Sequence, residues 1–258
     1  MLKFNYFKLS RYAVNTNIVQ LKLLGLCWGK EVITEFERVL DEIEKTQENI
    51  QVLIITGNKH FCTGADLSDP FIKTKEGGKW MNEKMTTNLN RFCLLPIISY
   101  AAIDTLAVGG GAEFASSTDF RVMKHNAYIQ FVHSRFGIVP GWGAYTKLVN
   151  IVGLQVAKSI LYDAEKLDAE YCKSIYLADH VVENPELYLV EKYSKTKDLN
   201  LVPFESAAPN VEKGYIKGLK SLQYHNRDEQ LVFQELWMSP YHELKISPYN
   251  KKIKKQES

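Results

Sequence analysis

The sequence has no apolar run long enough to cross a bilayer, few cysteines and almost no net charge. A membrane-spanning helix needs about 20 consecutive apolar residues, and no stretch of these 258 residues approaches that length. The first residues also lack the continuous apolar segment of a secretory signal and the Arg- and Ser-rich pattern of a transit peptide. We therefore expect a cytosolic protein that does not bind a membrane.

The cysteines and the charged residues exclude several further classes of protein. The four cysteines lack the spacing of a disulfide framework or of a metal site, so we expect reduced, mostly buried thiols and no metal. The formal net charge of +2 gives the chain no general attraction to nucleic acid. The one basic run, at residues 251–255, is typical of a solvated tail, so no nucleic-acid partner is expected.

Hydrophobic patterns predict alternating strands and helices, followed by helices alone. This order is typical of an α/β core, here residues 1–182, with a C-terminal helical region over residues 183–258. In that region the patterns over residues 204–222 and 228–237 are the clearest. The core prediction comprises an opening hairpin that turns at residues 15–17, strands over 51–56, 97–103, 119–123, 127–131 and 179–182, and helices from about 30 and over 79–95, 144–152, 154–162 and 168–175.

Two glycine-containing bends follow predicted strands and are candidates for a ligand site. The first is Gly64, within residues 61–67, and the second is the run Gly109, Gly110 and Gly111. Glycine has no Cβ, so the backbone can approach a ligand closely at such a bend. A helix that starts after the second bend would also direct unpaired N–H groups towards that ligand. The pattern therefore favours a place that holds a negatively charged oxygen.

Four motifs in order resemble those of the enoyl-CoA hydratase/isomerase (crotonase) superfamily. They are residues 61–67 (FCTGADL), 107–113 (AVGGGAE), 119–121 (DFR) and 137–140 (GIVP). The resemblance implies a crotonase-like β-β-α spiral core and a C-terminal helical region that forms a homotrimer or a dimer of trimers. It also implies an acyl-CoA thioester as the substrate, so that CoA enters with the substrate and no separate cofactor is needed.

The resemblance also implies catalytic roles for four residues. Crotonase enzymes hold a thioester enolate with two backbone N–H groups, which here correspond to Ala65 and Gly110. Hydratases use two glutamates, and Glu113 lies at the first of these positions while His133 occupies the second. Decarboxylation needs no activated water, so this pattern favours loss of CO2 from a short branched malonyl-CoA, such as ethylmalonyl-CoA or methylmalonyl-CoA. The implied activity is that of a carboxy-lyase, with a place in fatty acid metabolism.

Further residues are predicted to bind the substrate, and each candidate also has a structural interpretation. The glycine bends are also compatible with plain tight turns, Glu113 with a helix cap, His133 with a structural hydrogen bond and Trp142 with a core aromatic. Taken together, the motifs favour the functional interpretation. The predicted substrate-binding residues are Gly64, Asp66, Leu67, Gly109, Gly111, Pro140 and Trp142.

One departure from the superfamily pattern keeps two alternatives open. Family members usually carry a longer loop, with an Asn-Ala pair that contacts CoA, between the second strand and the first helix. Here only residues 25–29 (GLCWG) stand at that place. The alternatives are another crotonase enzyme, such as a hydratase or isomerase, and a catalytically silent acyl-CoA-binding scaffold.

Overall fold

The computed structural model describes residues 3–194, which contain nine strands and seven α-helices. The predicted helices over residues 204–222 and 228–237 lie outside this range, as does the part of the predicted trimer-forming region beyond residue 194. The strands are β1 (Phe7–Tyr12), β2 (Asn15–Leu23), β3 (Val52–Thr56), β4 (Ile98–Ile103), β5 (Leu106–Val108), β6 (Phe120–Lys124), β7 (Tyr128–Gln130), β8 (Leu167–Asp168) and β9 (His180–Val182). The helices are α1 (Lys30–Thr46), α2 (Lys75–Leu94), α3 (Gly110–Ala115), α4 (Ala144–Val152), α5 (Leu154–Asp163), α6 (Ala169–Ser174) and α7 (Pro185–Ser194).

Six strands form one sheet in the order β1-β2-β3-β4-β6-β9, and all neighbours except β1 and β2 are parallel. Parallel sheets are normally covered on both faces, and their central strands are continuous apolar runs. In β3, every residue is buried. The α/β class predicted from the alternation of patterns is therefore confirmed.

The opening hairpin is correct, but its predicted turn is wrong. β2 already begins at Asn15, so the chain reverses at residues 13 and 14. The side chain of Asn15 accepts a hydrogen bond from the N–H of Asn17 at 2.9 Å within the strand. Asn is common in turns because its side chain bonds nearby backbone groups, and here the same local bond forms beside an irregularity in the strand pairing at Arg11 and Tyr12.

Helices cover both faces of the large sheet. α1 and α2 pack on one face, and α1 contributes a fully buried stripe that includes Ile33, Phe36 and Leu40. α7 covers the other face, where Leu189 joins a second apolar cluster with Ile54. None of the helices within residues 3–194 has the length and apolar character needed to cross a membrane.

A second, three-stranded sheet in the order β5-β7-β8 carries the chain into the glycine run. β5 and β8, of three and two residues, are absent from the sequence prediction. β5 ends at Val108, directly before Gly109, so this small sheet fixes where the glycine bend and α3 begin.

The Asp119-Phe120-Arg121 motif holds the large sheet together. The carboxylate of Asp119 accepts hydrogen bonds from the N–H and hydroxyl of Ser99, at 2.8 and 2.7 Å. The guanidinium of Arg121 is 4% exposed and donates to the carbonyls of Leu177 and Thr118, at 2.7 and 2.8 Å. The motif therefore links β4, β6 and the segment that leads into β9.

Replacing Arg121 by methionine is expected to lower the free energy of unfolding by about 3 kcal/mol. The change leaves two buried carbonyls without their side-chain donor, while the carboxylate of Asp179 loses its contact with the guanidinium at 3.5 Å but keeps the backbone N–H of residue 121 at 2.8 Å. Arg11→Met is the matched control, because Arg11 also bonds two backbone carbonyls but is exposed, so water can replace it. Urea denaturation measures both variants, and equal losses would contradict the buried role of Arg121.

Candidate active site

A cavity of about 1200 Å³ opens where the two glycine bends meet. Its walls come from residues 63–67, from α2, from the start of α3 and from the segment 132–142. Apart from the Trp142 indole, four polar side chains lie in an otherwise apolar lining, which is typical of a small-molecule site. They belong to Thr63, Asn82, Glu113 and His133.

The N–H of Ala65 points away from the segment that contains Trp28, and Ala65 lines the cavity. On the other side, Trp28 donates to the carbonyl of Gly64 at 2.8 Å and accepts from Asp66 at 3.1 Å. Successive peptide groups of an extended segment alternate in direction, so the N–H of Ala65 points away from Trp28. No atom within residues 3–194 accepts a hydrogen bond from it.

The N–H of Gly110 lies beside Gly64 and is the first amide of α3. A Cβ added to Gly64 would stand 2.8 Å from the nitrogen of Gly110, so the two bends touch. First-turn amides of a helix have no intrahelical acceptor, and in the described part of the chain the Gly110 amide has none elsewhere. Gly109 adopts a φ of 55°, and its N–H donates to the carbonyl of Gln130 at 2.9 Å, which anchors the bend.

Glu113 and His133, treated separately in the sequence, form a direct pair at the cavity wall. The Nε2 atom of His133 lies 2.9 Å from Oε1 of Glu113, and the N–H of Trp142 donates to Oε2 at 2.9 Å. His133 is 6% exposed and Glu113 is 2% exposed. Glu113 lies in the first turn of α3, where a carboxylate is electrostatically favourable, but its two oxygens bond His133 and Trp142 and make no capping hydrogen bond to the helix. The Nδ1 atom of His133 is buried and has no hydrogen-bond partner within residues 3–194.

Lys147 on α4 bonds the same turn at the carbonyl of Trp142. Its ammonium group is buried, donates to the hydroxyl of Ser117 at 2.9 Å and lies 3.5 Å from the carbonyl of Trp142. Ser117 in turn donates to the carbonyl of Glu113 at 2.9 Å. The backbone of Trp142 is thus held at both of its polar atoms, the N–H by the carboxylate of Glu113 and the carbonyl by the ammonium group of Lys147. Lys147 was not predicted from the sequence, although its helical spacing from Ala144 and Leu148 places Lys147 on the buried face of α4.

The indole of Trp142 closes the inner end of the cavity. It rests on Gly110 so closely that a Cβ at that position would overlap the ring. Behind it, the fully buried ring of Trp28 makes edge contacts with Trp142 and Phe114 at centroid distances of 6.3 and 5.5 Å. Trp142 is therefore both part of the aromatic core and part of the cavity lining.

The structure brings most of the predicted site residues together. Ala65, Gly110, Glu113 and His133 all line the cavity, as do Gly64, Leu67, Gly109 and Trp142. Three predicted substrate-binding residues do not line it, and two of them support its walls: Asp66 bonds Ser68 through its carboxylate, and Gly111 packs against the backbone of Cys62. The third, Pro140, lies beside a separate surface groove.

The short N-terminal loop over residues 25–29 packs directly behind the first bend. Thr63 donates through both its N–H and its hydroxyl to the carbonyl of Leu26, at 2.7 and 2.9 Å.

All four cysteines are free thiols, and three are buried. Burial raises the pKa of the Cys62 thiol to about 12, so this thiol stays neutral and adds no charge behind the bend.

In a comparison with protein families, residues 27–199 match the family Enoyl-CoA hydratase/isomerase. Similar curated proteins are named ethylmalonyl-CoA decarboxylase. Those of Mus musculus and Rattus norvegicus are each 33% identical over 82% of this chain, and that of Danio rerio is 39% identical over 59%. The matched stretches span 66%, 72% and 51% of these relatives, in the same order.

Solved structures share the fold at lower sequence identity. An enoyl-CoA hydratase from Bacillus anthracis superposes with a TM-score of 0.77 at 21% identity, covering 96% of this chain and 97% of that one. A candidate enoyl-CoA hydratase from Thermobifida fusca in complex with CoA gives a TM-score of 0.73 at 20% identity, covering 93% and 94%. The crotonase-like core expected from the four motifs is therefore the observed fold.

Proposed function

The chain belongs to the enoyl-CoA hydratase/isomerase family, and on this premise we propose that it decarboxylates a short branched malonyl-CoA thioester. Ethylmalonyl-CoA is the proposed main substrate and methylmalonyl-CoA a second one. The names of the similar mouse, rat and zebrafish proteins support this choice, and the CoA complex of the Thermobifida fusca structure supports a CoA thioester as ligand.

The observation that carries the proposal is the pair of unpaired amides at Ala65 and Gly110, beside the buried Glu113–His133 pair. Two N–H groups directed at one thioester oxygen stabilise the negative charge that develops there. The loss of one such donor in other enzymes costs about 3 to 4 kcal/mol of barrier lowering, so two can supply much of the catalysis.

The proposed reaction breaks one carbon–carbon bond and forms one carbon–hydrogen bond. The electron pair of the bond between the α-carbon and the carboxylate moves into the enolate, and CO2 leaves. The enolate oxygen is held by the two amides. A proton from the Glu113–His133 pair then adds to the α-carbon, and a proton from water restores the pair. Ethylmalonyl-CoA and one proton thus give butyryl-CoA and CO2.

Hydration is disfavoured because Glu113 is the only carboxylate among the described residues that line the cavity. Glu113 has both carboxylate oxygens engaged, by His133 and by the Trp142 amide, and His133 stands where hydratases have their other glutamate. Decarboxylation needs only enolate stabilisation and one proton donor. The Trp142 indole on Gly110 limits the depth of the cavity, which favours a short acyl group.

The full chain should be incubated with ethylmalonyl-, methylmalonyl- and crotonyl-CoA, with products identified by mass. We expect butyryl-CoA and CO2 from the first, propionyl-CoA and CO2 from the second, and at most trace hydration of the third. Hydration of crotonyl-CoA that outpaces decarboxylation would favour a hydratase. Tight acyl-CoA binding without turnover would favour a silent acyl-CoA-binding scaffold.

The implied assembly and compartment belong to the same proposal. We propose a cytosolic homotrimer or dimer of trimers, built through the C-terminal helical region that begins at residue 183. Light scattering of the purified protein measures the assembly directly.

A further inference from the structure

Asn82 differs from the other polar side chains of the cavity. The hydroxyl of Thr63 donates to Leu26, and Glu113 and His133 bond each other. Asn82 projects from α2 into the cavity lining and makes no hydrogen bond within residues 3–194. Apart from the buried Nδ1 atom of His133, its amide is therefore the polar side-chain group of the lining that has no hydrogen-bond partner within residues 3–194.

Asn82 lies next to the turn that holds the proposed proton donor. Its Oδ1 atom packs against Gly141, where any Cβ would overlap it. The following residue, Trp142, donates its N–H to the carboxylate of Glu113 at 2.9 Å. The amide of Asn82 and the Glu113–His133 pair thus approach the same turn, one from α2 and the other from α3.

The charge of the cavity decides what kind of group can bind there. No lysine or arginine within the described residues lines it, while the carboxylate of Glu113 does. A malonyl-type substrate brings a second carboxylate, which Glu113 repels if the two come close. A neutral side-chain N–H donor that comes from α2, opposite the helix that carries Glu113, can orient that carboxylate without adding charge to the cavity.

A neutral donor also suits the chemistry. Loss of CO2 turns a carboxylate into an uncharged molecule, so a strong ion pair would stabilise the substrate more than the transition state. An amide hydrogen bond fixes the direction of the carboxylate at a lower cost to the rate.

We propose that the side-chain amide of Asn82 binds the carboxylate that leaves as CO2, and so determines specificity for malonyl-type over simple acyl-CoA thioesters. This inference rests on the proposed function, because it assigns a residue to the substrate of that reaction. It predicts a role in substrate recognition that is separate from holding the thioester.

The test compares Asn82→Ala and Asn82→Asp with Asn90→Asp. Asn90 lies two turns further along α2, is exposed and does not line the cavity, so it controls for the same change on the same helix. We expect kcat/KM for ethylmalonyl-CoA to fall about 10- to 100-fold in Asn82→Ala and further in Asn82→Asp. The inhibition constant of butyryl-CoA, which lacks the carboxylate, should stay within about twofold.

Direct binding separates the failure of this inference from failure of the proposed function. If the wild-type chain does not decarboxylate ethylmalonyl-CoA, calorimetry still gives its affinity for ethylmalonyl-CoA and for butyryl-CoA. Selective loss of ethylmalonyl-CoA affinity in Asn82→Asp would support the inference even then. Equal changes for both ligands, or no change for either, would overturn it, whether or not the wild-type chain is active.

Discussion

Replacing Gly64 by alanine is expected to lower kcat for decarboxylation about 10²- to 10³-fold. Gly64 has a φ of 91°, and an added Cβ would stand 2.8 Å from the Gly110 nitrogen and 3.0 Å from the Val108 carbonyl oxygen. Both neighbours are backbone atoms, so they can yield only if the two bends separate. Separation moves the amides of Ala65 and Gly110 apart, so that they can no longer bind one thioester oxygen as proposed.

Gly153→Ala is the matched control for this prediction. Gly153 also has a positive φ, 79°, but an added Cβ there meets nothing within 4 Å. A positive φ strains an alanine and costs about 1 to 3 kcal/mol, so both variants lose stability for that reason. Steady-state kinetics and thermal unfolding of the two proteins separate strain from site geometry. A kcat for Gly64→Ala close to that of Gly153→Ala would contradict the amide pair as the catalytic feature.

The fold was predictable from sequence because its elements have strong local patterns. α1 has a complete apolar stripe, and β3 and β4 are β-branched or apolar runs bounded by turn residues. β5 and β8 were missed because such short strands are defined by their partners in the small sheet and not by their own residues. The hairpin turn was misplaced because Asn15 forms its local bond inside a strand.

The parts of the site that glycines mark could be predicted from the sequence. The parts that depend on contacts between residues far apart in the chain could not. The bends at Gly64 and Gly110 carry a backbone signal that survives in sequence alone. The pairing of Glu113 with His133 depends on two elements 20 residues apart in the chain. Asn82 has no signal of its own, since an exposed asparagine on a helix is ordinary until the opposite wall of the cavity is known.

Glu113→Gln and His133→Ala are each expected to lower the decarboxylation rate about 10²-fold, and the double variant no further. The hydrogen bond between Oε1 and Nε2 holds one hydrogen, and Oε2 already accepts the Trp142 amide. A pair that is ready to donate needs a second proton, and the remaining position is Nδ1 of His133, which has no partner within residues 3–194. A variant that lacks either residue therefore no longer has a pair that can hold the second proton and donate it.

A double-mutant cycle measures whether the two residues act as one donor. Complete coupling of two 10²-fold effects corresponds to about 2.7 kcal/mol, at 1.36 kcal/mol for each factor of ten. His133→Gln is the conservative control, because its amide can still donate to Glu113 but cannot carry a proton. It should be as slow as His133→Ala while unfolding at nearly the wild-type temperature and keeping the oligomer intact. A double variant about 10⁴-fold slower would mean independent roles, and unchanged turnover in His133→Ala would leave His133 a purely structural role.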